Sequence, residues 1–123
     1  MNPKKILVVD DEADLLKTIR FSLEREGYTV LVSLNGEDAL NQARKESPDL
    51  ILLDIMLPKL DGYKVCRLLK FDEKYKHIPI LMLTAKTQEK DKTLGIETGA
   101  DEYITKPFDI DELMEKVKGY LKG

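Results

Sequence analysis

Cysteine, basic excess and long apolar runs are all scarce in this chain, and each shortage closes a possibility. A single cysteine, Cys66, stands among 123 residues. No internal disulfide can form, so the fold must rest on its core, and a reducing, cytoplasmic setting suits it. The N-terminal apolar run, Ile6 to Val9, is too short for a signal sequence and far too short to span a bilayer, so no membrane role is expected. Lys and Arg number 20 against 23 Asp and Glu, a formal net charge of −3, which argues against direct binding of nucleic acid. The one histidine, His77, has no Cys or His partner at ligand spacing, so it reads as a surface residue rather than a zinc ligand. Internal repeats and low-complexity segments are lacking as well. What is present is 42% hydrophobic and 35% charged sequence, enough for one soluble domain over 1–123 and too little for two.

The most informative stretch is Leu50-Ile51-Leu52-Leu53-Asp54. Four large apolar residues without polar alternation read as a strand buried on both faces, as parallel strands are. The acid that ends the run faces a loop, Ile55 to Gly62, punctuated by Pro58 and Gly62. A buried carboxylate is costly unless it has a raised pKa, a partner or a metal. Similar runs occur at Lys4–Val9, Tyr28–Val32, Ile80–Leu83 and Glu102–Thr105. The second of these is the least uniformly apolar, which fits an edge strand.

Helical periodicity fills the intervals. Leu15, Leu16, Ile19 and Leu23 share one face of a helix over Ala13–Glu26, and Gly27 is its stop. A second helix, from Glu37 to about Glu46, is ended by Ser47-Pro48. A third, from about Tyr63 to Phe71, turns Val65, Leu68 and Leu69 inward and carries Cys66, read as a small hydrophobe. The segment from Gln88 to about Thr98 reads as a poorly packed helix with an internal Gly95. The last helix opens at Asp109, which with Glu112 resembles a capping box, and its apolar stripe is Ile110, Leu113, Met114, Val117 and Leu121. Five strands alternating with five helices make an α/β parallel sheet, doubly wound, with both faces covered.

Such a sheet gathers whatever follows its strands at one edge, where ligands bind in open α/β folds. Here those residues are Asp10 and Asp11 after the first strand, Asp54 after the third, Thr84 after the fourth and Lys106 after the fifth. Three close aspartates cannot all stay ionised without compensation. Lys106 answers one charge, and a hard divalent cation, Mg²⁺ or Mn²⁺, answers the rest, since every donor is oxygen. Mg²⁺ usually keeps positions for phosphate oxygens. A phosphoryl group would then meet the metal, Lys106 and the Thr84 hydroxyl, leaving Asp54 as the nucleophile that becomes an aspartyl phosphate. Two rivals fit less well. A flavodoxin-like nucleotide or flavin binder needs a Gly/Ser/Thr-rich loop where this chain has Asp10-Asp11-Glu12. An aspartate-dependent phosphatase should carry a second acid two residues after its nucleophile, where this chain has Met56.

Ile6-Leu7-Val8-Val9-Asp10-Asp11-Glu12, Leu52 to Gly62, Leu83-Thr84-Ala85 and Tyr103-Ile104-Thr105-Lys106-Pro107-Phe108 together resemble the receiver domain of two-component response regulators, over the whole chain and in order. The resemblance implies a CheY-like, flavodoxin-like fold with strand order 2-1-3-4-5, an order general principles already attach to this class. It implies that Asp54 accepts a phosphoryl group from the phosphohistidine of a sensor histidine kinase or a histidine phosphotransfer protein. Asp10 and Asp11 would organise Mg²⁺, with Asp54 and the Met56 backbone carbonyl as further ligands. Lys106 would pair with the phosphoryl group, and the Lys106–Pro107 bond would be cis. Thr84 would turn toward the site, Tyr103 would follow from an exposed to a buried rotamer, and Ala85 supplies the small neighbour. Met56 and Lys86 fall where the family modulates the life of the phosphoryl group. A degenerate receiver would lack an acid, the threonine or the lysine, and none is missing.

The output surface is expected along 88–98, the strand of Tyr103 and the last helix, where Lys92, Glu97, Glu102, Glu112 and Lys116 suit a downstream effector, an output domain or a symmetric homodimer. The chain would be no enzyme beyond its own phosphorylation and dephosphorylation. Whether it acts alone or within a hybrid kinase or transcription factor stays open at this point.

Overall fold

The unbroken apolar runs form the middle of one parallel sheet, because only strands covered on both faces can carry so little polar sequence. The computed structural model describes residues 3–57, 59–85 and 99–122. In chain order these are β1 (Lys5–Val9), α1 (Ala13–Arg25), β2 (Thr29–Ser33), α2 (Gly36–Glu46), β3 (Leu50–Asp54), α3 (Gly62–Lys70), β4 (Ile80–Ala85), β5 (Glu102–Lys106) and α4 (Ile110–Leu121). The sheet order is β2-β1-β3-β4-β5, with every neighbouring pair parallel. The helix expected at 88–98, with Lys86, Lys92 and Glu97, lies outside the described residues.

Strand alternation divides the core in two. Leu7, Val9, Ile51, Leu53 and Met82 pack against Ala39, Leu40 and Ala43 of α2 and Val65, Cys66 and Leu69 of α3. Ile6, Val8, Leu50, Leu52, Leu81 and Leu83 pack against Leu16, Ile19 and Leu23 of α1 and Leu113, Met114 and Val117 of α4. One expectation is corrected here: Leu68 is exposed, and Cys66 takes the inward place on α3. Helical spacing allowed either residue on the flank of the stripe, and the smaller side chain fits beneath the sheet.

The helix ends follow the sequence. Gly27 has φ +94 and ends α1. Asn35 and Asp61 cap α2 and α3 by accepting from Asp38 N and Lys64 N. Asp109 Oδ1 accepts from both Asp111 N and Glu112 N at the start of α4. Ser47 does end α2, but in the left-handed region (φ 45), not in the extended form that a following proline usually favours.

Candidate phosphoryl-acceptor site

The register places the strand ends side by side. Val9 pairs with Leu53, and Asp54 pairs with Leu83, so Asp10, Asp54 and Thr84 end up on three adjacent strands at one edge. Asp10 and Thr84 are buried, Asp54 is 5% exposed, and Asp11 is exposed. Carboxylate oxygens of Asp10, Asp11 and Asp54 all lie within 4.8 Å of one another.

Among the described residues, one ammonium serves this group. Lys106 Nζ lies 2.9 Å from Asp10 Oδ2, 3.4 Å from Glu12 Oε1 and 3.5 Å from Asp54 Oδ2. Burial lowers the Lys106 pKa, but its hydrogen bond to Asp10 and the charges of Asp54, Asp10 and Glu12 outweigh that effect, and the net shift is upward. Asp54 is pushed up to about 6, first by burial and then by the charge of Asp10; Lys106 and the Met56 amide pull it back only in part. Backbone donors help to orient the acids. Glu12 N donates to Asp10 Oδ1 at 2.9 Å, and Met56 N approaches Asp54 Oδ1 at 3.4 Å.

Among the described residues the cluster is short of positive charge and offers only hard oxygen donors, so it fits a magnesium-sized divalent ion. Asp10, Asp11 and Asp54 are the side chains that could hold it. A cleft of about 390 Å³ opens beside Lys106, walled by Leu15, Pro107 and Phe108 with Glu12 at its rim. A wider groove, about 870 Å³ and bordered by Arg44, Arg67, Leu68 and Phe71, shares no residue with the acids. Chemistry, rather than size, marks the site.

Asp10, Asp11, Asp54 and Lys106 thus lie together at this edge, Thr84 is buried near the end of the neighbouring strand, and the Lys106–Pro107 bond is cis. The Met56 side chain is exposed. Tyr103 is half-buried against the α3 side of the core, with its hydroxyl inside and no hydrogen-bond partner among the described residues. Burial, then Tyr63 and Cys66, push its pKa up to about 12. What the sequence reading missed is the contact of Glu12 with Lys106. The only available signal was a third adjacent acid, which does not say which of the three turns inward.

Comparison with known proteins gives the same picture. The model of the response regulator receiver domain matches residues 6–118. The chain is 53% identical over 119 residues to the alkaline phosphatase synthesis transcriptional regulatory protein PhoP of Bacillus subtilis, covering 97% of this chain and 49% of that protein. It therefore spans about half the length of that relative. Among solved structures, the chemotaxis response regulator CheY4 of Vibrio cholerae superimposes with a TM-score of 0.89 at 30% identity, covering 97% of this chain and 99% of the other. The receiver domain of sensor histidine kinase PA1611 from Pseudomonas aeruginosa PAO1, which has a magnesium ion coordinated in its active-site cleft, matches with a TM-score of 0.89 at 30% identity, covering 99% and 100%.

Proposed function

The chain belongs to the response regulator receiver domain family, and from that premise we propose that Asp54 is its phosphoryl acceptor, working with Mg²⁺, Lys106 and Thr84. The observation that carries this reading is a nearly buried carboxylate ending β3, beside two further acids and one shared ammonium.

In the reaction, an Asp54 carboxylate oxygen attacks phosphorus as the P–N bond to the donor's imidazole breaks, and the electron pair leaves with the imidazole nitrogen. Negative charge spreads over the equatorial oxygens. The Lys106 ammonium and the Thr84 hydroxyl would receive that charge, and a phosphorylated Asp54 would no longer compete for Lys106 as a carboxylate. A divalent ion held by Asp10, Asp11 and Asp54 would supply further charge neutralisation at the site. Asp10, buried and paired with Lys106, keeps the ammonium at the mouth of the site. The apolar walls of the adjacent cleft suit the flat face of an imidazole, which is how a phosphohistidine of a histidine kinase or phosphotransfer protein would enter.

The readout would pass through Thr84 to Tyr103, already inward here, and on to β5 and α4. Lys116 Nζ lies 3.2 Å from Glu102 Oε2, a tie between these two elements that an effector, an output domain or a second copy of the chain could replace. The match over 6–118 supports treating 1–123 as one receiver unit, with its own phosphorylation and dephosphorylation as the proposed chemistry. Among the described residues, no helix is long and apolar enough to cross a membrane.

Incubation with acetyl phosphate and Mg²⁺, followed by intact-protein mass spectrometry, tests the reading. Wild type should gain one phosphoryl group and Asp54→Asn none, with chelation suppressing the reaction. Equal labelling of the variant would reassign the acceptor.

A further inference from the structure

The two chain segments that carry the acids run side by side in the sheet, and a third segment that carries none of them touches both. Ser33 ends β2, buried at 2% exposure, and its carbonyl accepts the amide of Asp10 at 3.2 Å. Its hydroxyl donates to Asp38 Oδ2 at 2.8 Å and accepts from Gln42 Nε2 at 2.6 Å. Gln42 Nε2 also donates to the Val32 carbonyl at 2.7 Å. The end of β2 is thereby fastened to the first turns of α2 by partly buried polar contacts around Ser33.

The same corner presses on the segment after Asp54. That segment closes on itself where Gly62 N donates to the Ile55 carbonyl at 2.9 Å. Its outer part meets α2 at Gly36. A Cβ added there would overlap the Leu60 carbonyl oxygen, and would lie 2.7 Å from the carbonyl carbon and 2.9 Å from Leu60 Cβ. These are mostly backbone atoms, which cannot rotate away. Glycine is required at this point by a close approach, because the helix start and the loop occupy adjoining space.

We infer that the β2–α2 corner, through Ser33 and Gly36, is a positioning element that sets the spacing between Asp10 and the loop following Asp54. The inference rests on the reading of Asp10, Asp11 and Asp54 as a Mg²⁺ site. Neither residue touches the ion or the reacting atoms; each acts through backbone that carries or adjoins the ligands. Partners that orient metal ligands from behind commonly change affinity by about ten- to a hundredfold when removed.

The test is Mg²⁺ affinity by isothermal titration calorimetry on wild type, Gly36→Ala and Ser33→Ala, beside metal-free urea unfolding of each. Gly36→Ala should bind Mg²⁺ about tenfold more weakly, and Ser33→Ala more weakly by a smaller factor, both at temperatures where the metal-free proteins are fully folded. A merely structural role would lower metal-free stability while leaving the affinity of the folded protein within about twofold of wild type, and that result overturns the inference. Ser33→Ala removes only a hydroxyl and carries the test alone should Gly36→Ala not fold. Wild type that fails to bind Mg²⁺ overturns the acid-cluster reading itself, a different failure from wild-type and variant affinities that agree.

Discussion

At the N-terminal edge of the sheet, Asp101 and Asp49, the acids that precede β5 and β3, each have hydrogen-bond donors of the right kind. Asp101 Oδ2 accepts from Lys70 Nζ at 2.9 Å and from Ile80 N at 2.8 Å, and Lys70 Nζ also reaches the Ile78 carbonyl at 2.9 Å. Asp49 Oδ2 accepts from Lys5 N at 2.7 Å, while Asp49 N returns a bond to the Lys5 carbonyl at 2.8 Å. The C-terminal edge gathers Asp10, Asp11 and Asp54 within 4.8 Å and sets one lysine against them. The first arrangement closes the fold. Among the described residues the second leaves negative charge uncompensated, and the pKa of Asp54 is pushed up first by burial and then by the charge of Asp10. Within one sheet, the region built for stability is the one where charges cancel, and the region built for chemistry is the one where they do not.

The largest effect is expected where cancellation is removed. Asp101→Ala leaves the Ile80 amide and the mostly buried Lys70 ammonium each short of an acceptor. It should cost about 3 kcal/mol, read from urea unfolding. An unchanged midpoint would mean that water replaces the carboxylate and that the two edges are not so different.

The opposite sign is expected at the other edge. Asp54 has a folded-state pKa near 6, above its ordinary value, so its protonated form favours the fold. That contribution is full below about pH 4 and is lost as the pH rises through about 6. Asp54→Asn keeps the shape without the charge. In metal-free buffer at pH 7 it should be more stable than wild type by roughly 2 kcal/mol, with the difference vanishing toward pH 4. A variant less stable than wild type at pH 7 would show that attraction to Lys106 outweighs burial.

The same titration should govern the metal. With Asp54 as a proposed ligand, Mg²⁺ would need its carboxylate ionised, so the affinity should fall as the pH drops below about 6, by up to about tenfold per pH unit, with proton release detectable by calorimetry in buffers of different ionisation enthalpy. Flat affinity between pH 5 and 7 would place Asp54 outside the ligand set. The smallest effect belongs to Asp11→Ala. Asp11 is exposed, so metal-free melting should hold steady or rise slightly as repulsion is relieved, while Mg²⁺ affinity falls. A clear drop in metal-free melting temperature would contradict a repulsive cluster.

The active edge was legible in sequence because parallel strands announce themselves twice, by an unbroken apolar run and by the polar residue that stops it. Ile6–Asp10, Leu50–Asp54 and Ile80–Thr84 all have that form. The quiet edge was not legible. Asp49 and Asp101 sit before strands, among other loop acids, and only the register of β3 on β1 and of β5 on β4 brings them to Lys5 N and Ile80 N. Leu68 was misplaced because its spacing on α3 satisfies the apolar stripe as well as that of Cys66, and helical periodicity cannot weigh side-chain volume against the space under a sheet. Asn35-Gly36 read as a turn marker. Its second role, admitting the Leu60 carbonyl, depends on a loop distant in sequence.

Cys66, fully buried on α3 next to Tyr63 and beneath the half-buried Tyr103, is the only thiol in the chain. A thiol-specific reagent can therefore modify the protein at one place, and only in the moments when the half of the core under α3 parts. When reclosing outpaces the reagent, the labelling rate divided by that of a free thiol is the population of the opened form. The wild-type molecule thus carries its own clock for breathing, set on the side of the sheet toward which Tyr103 turns.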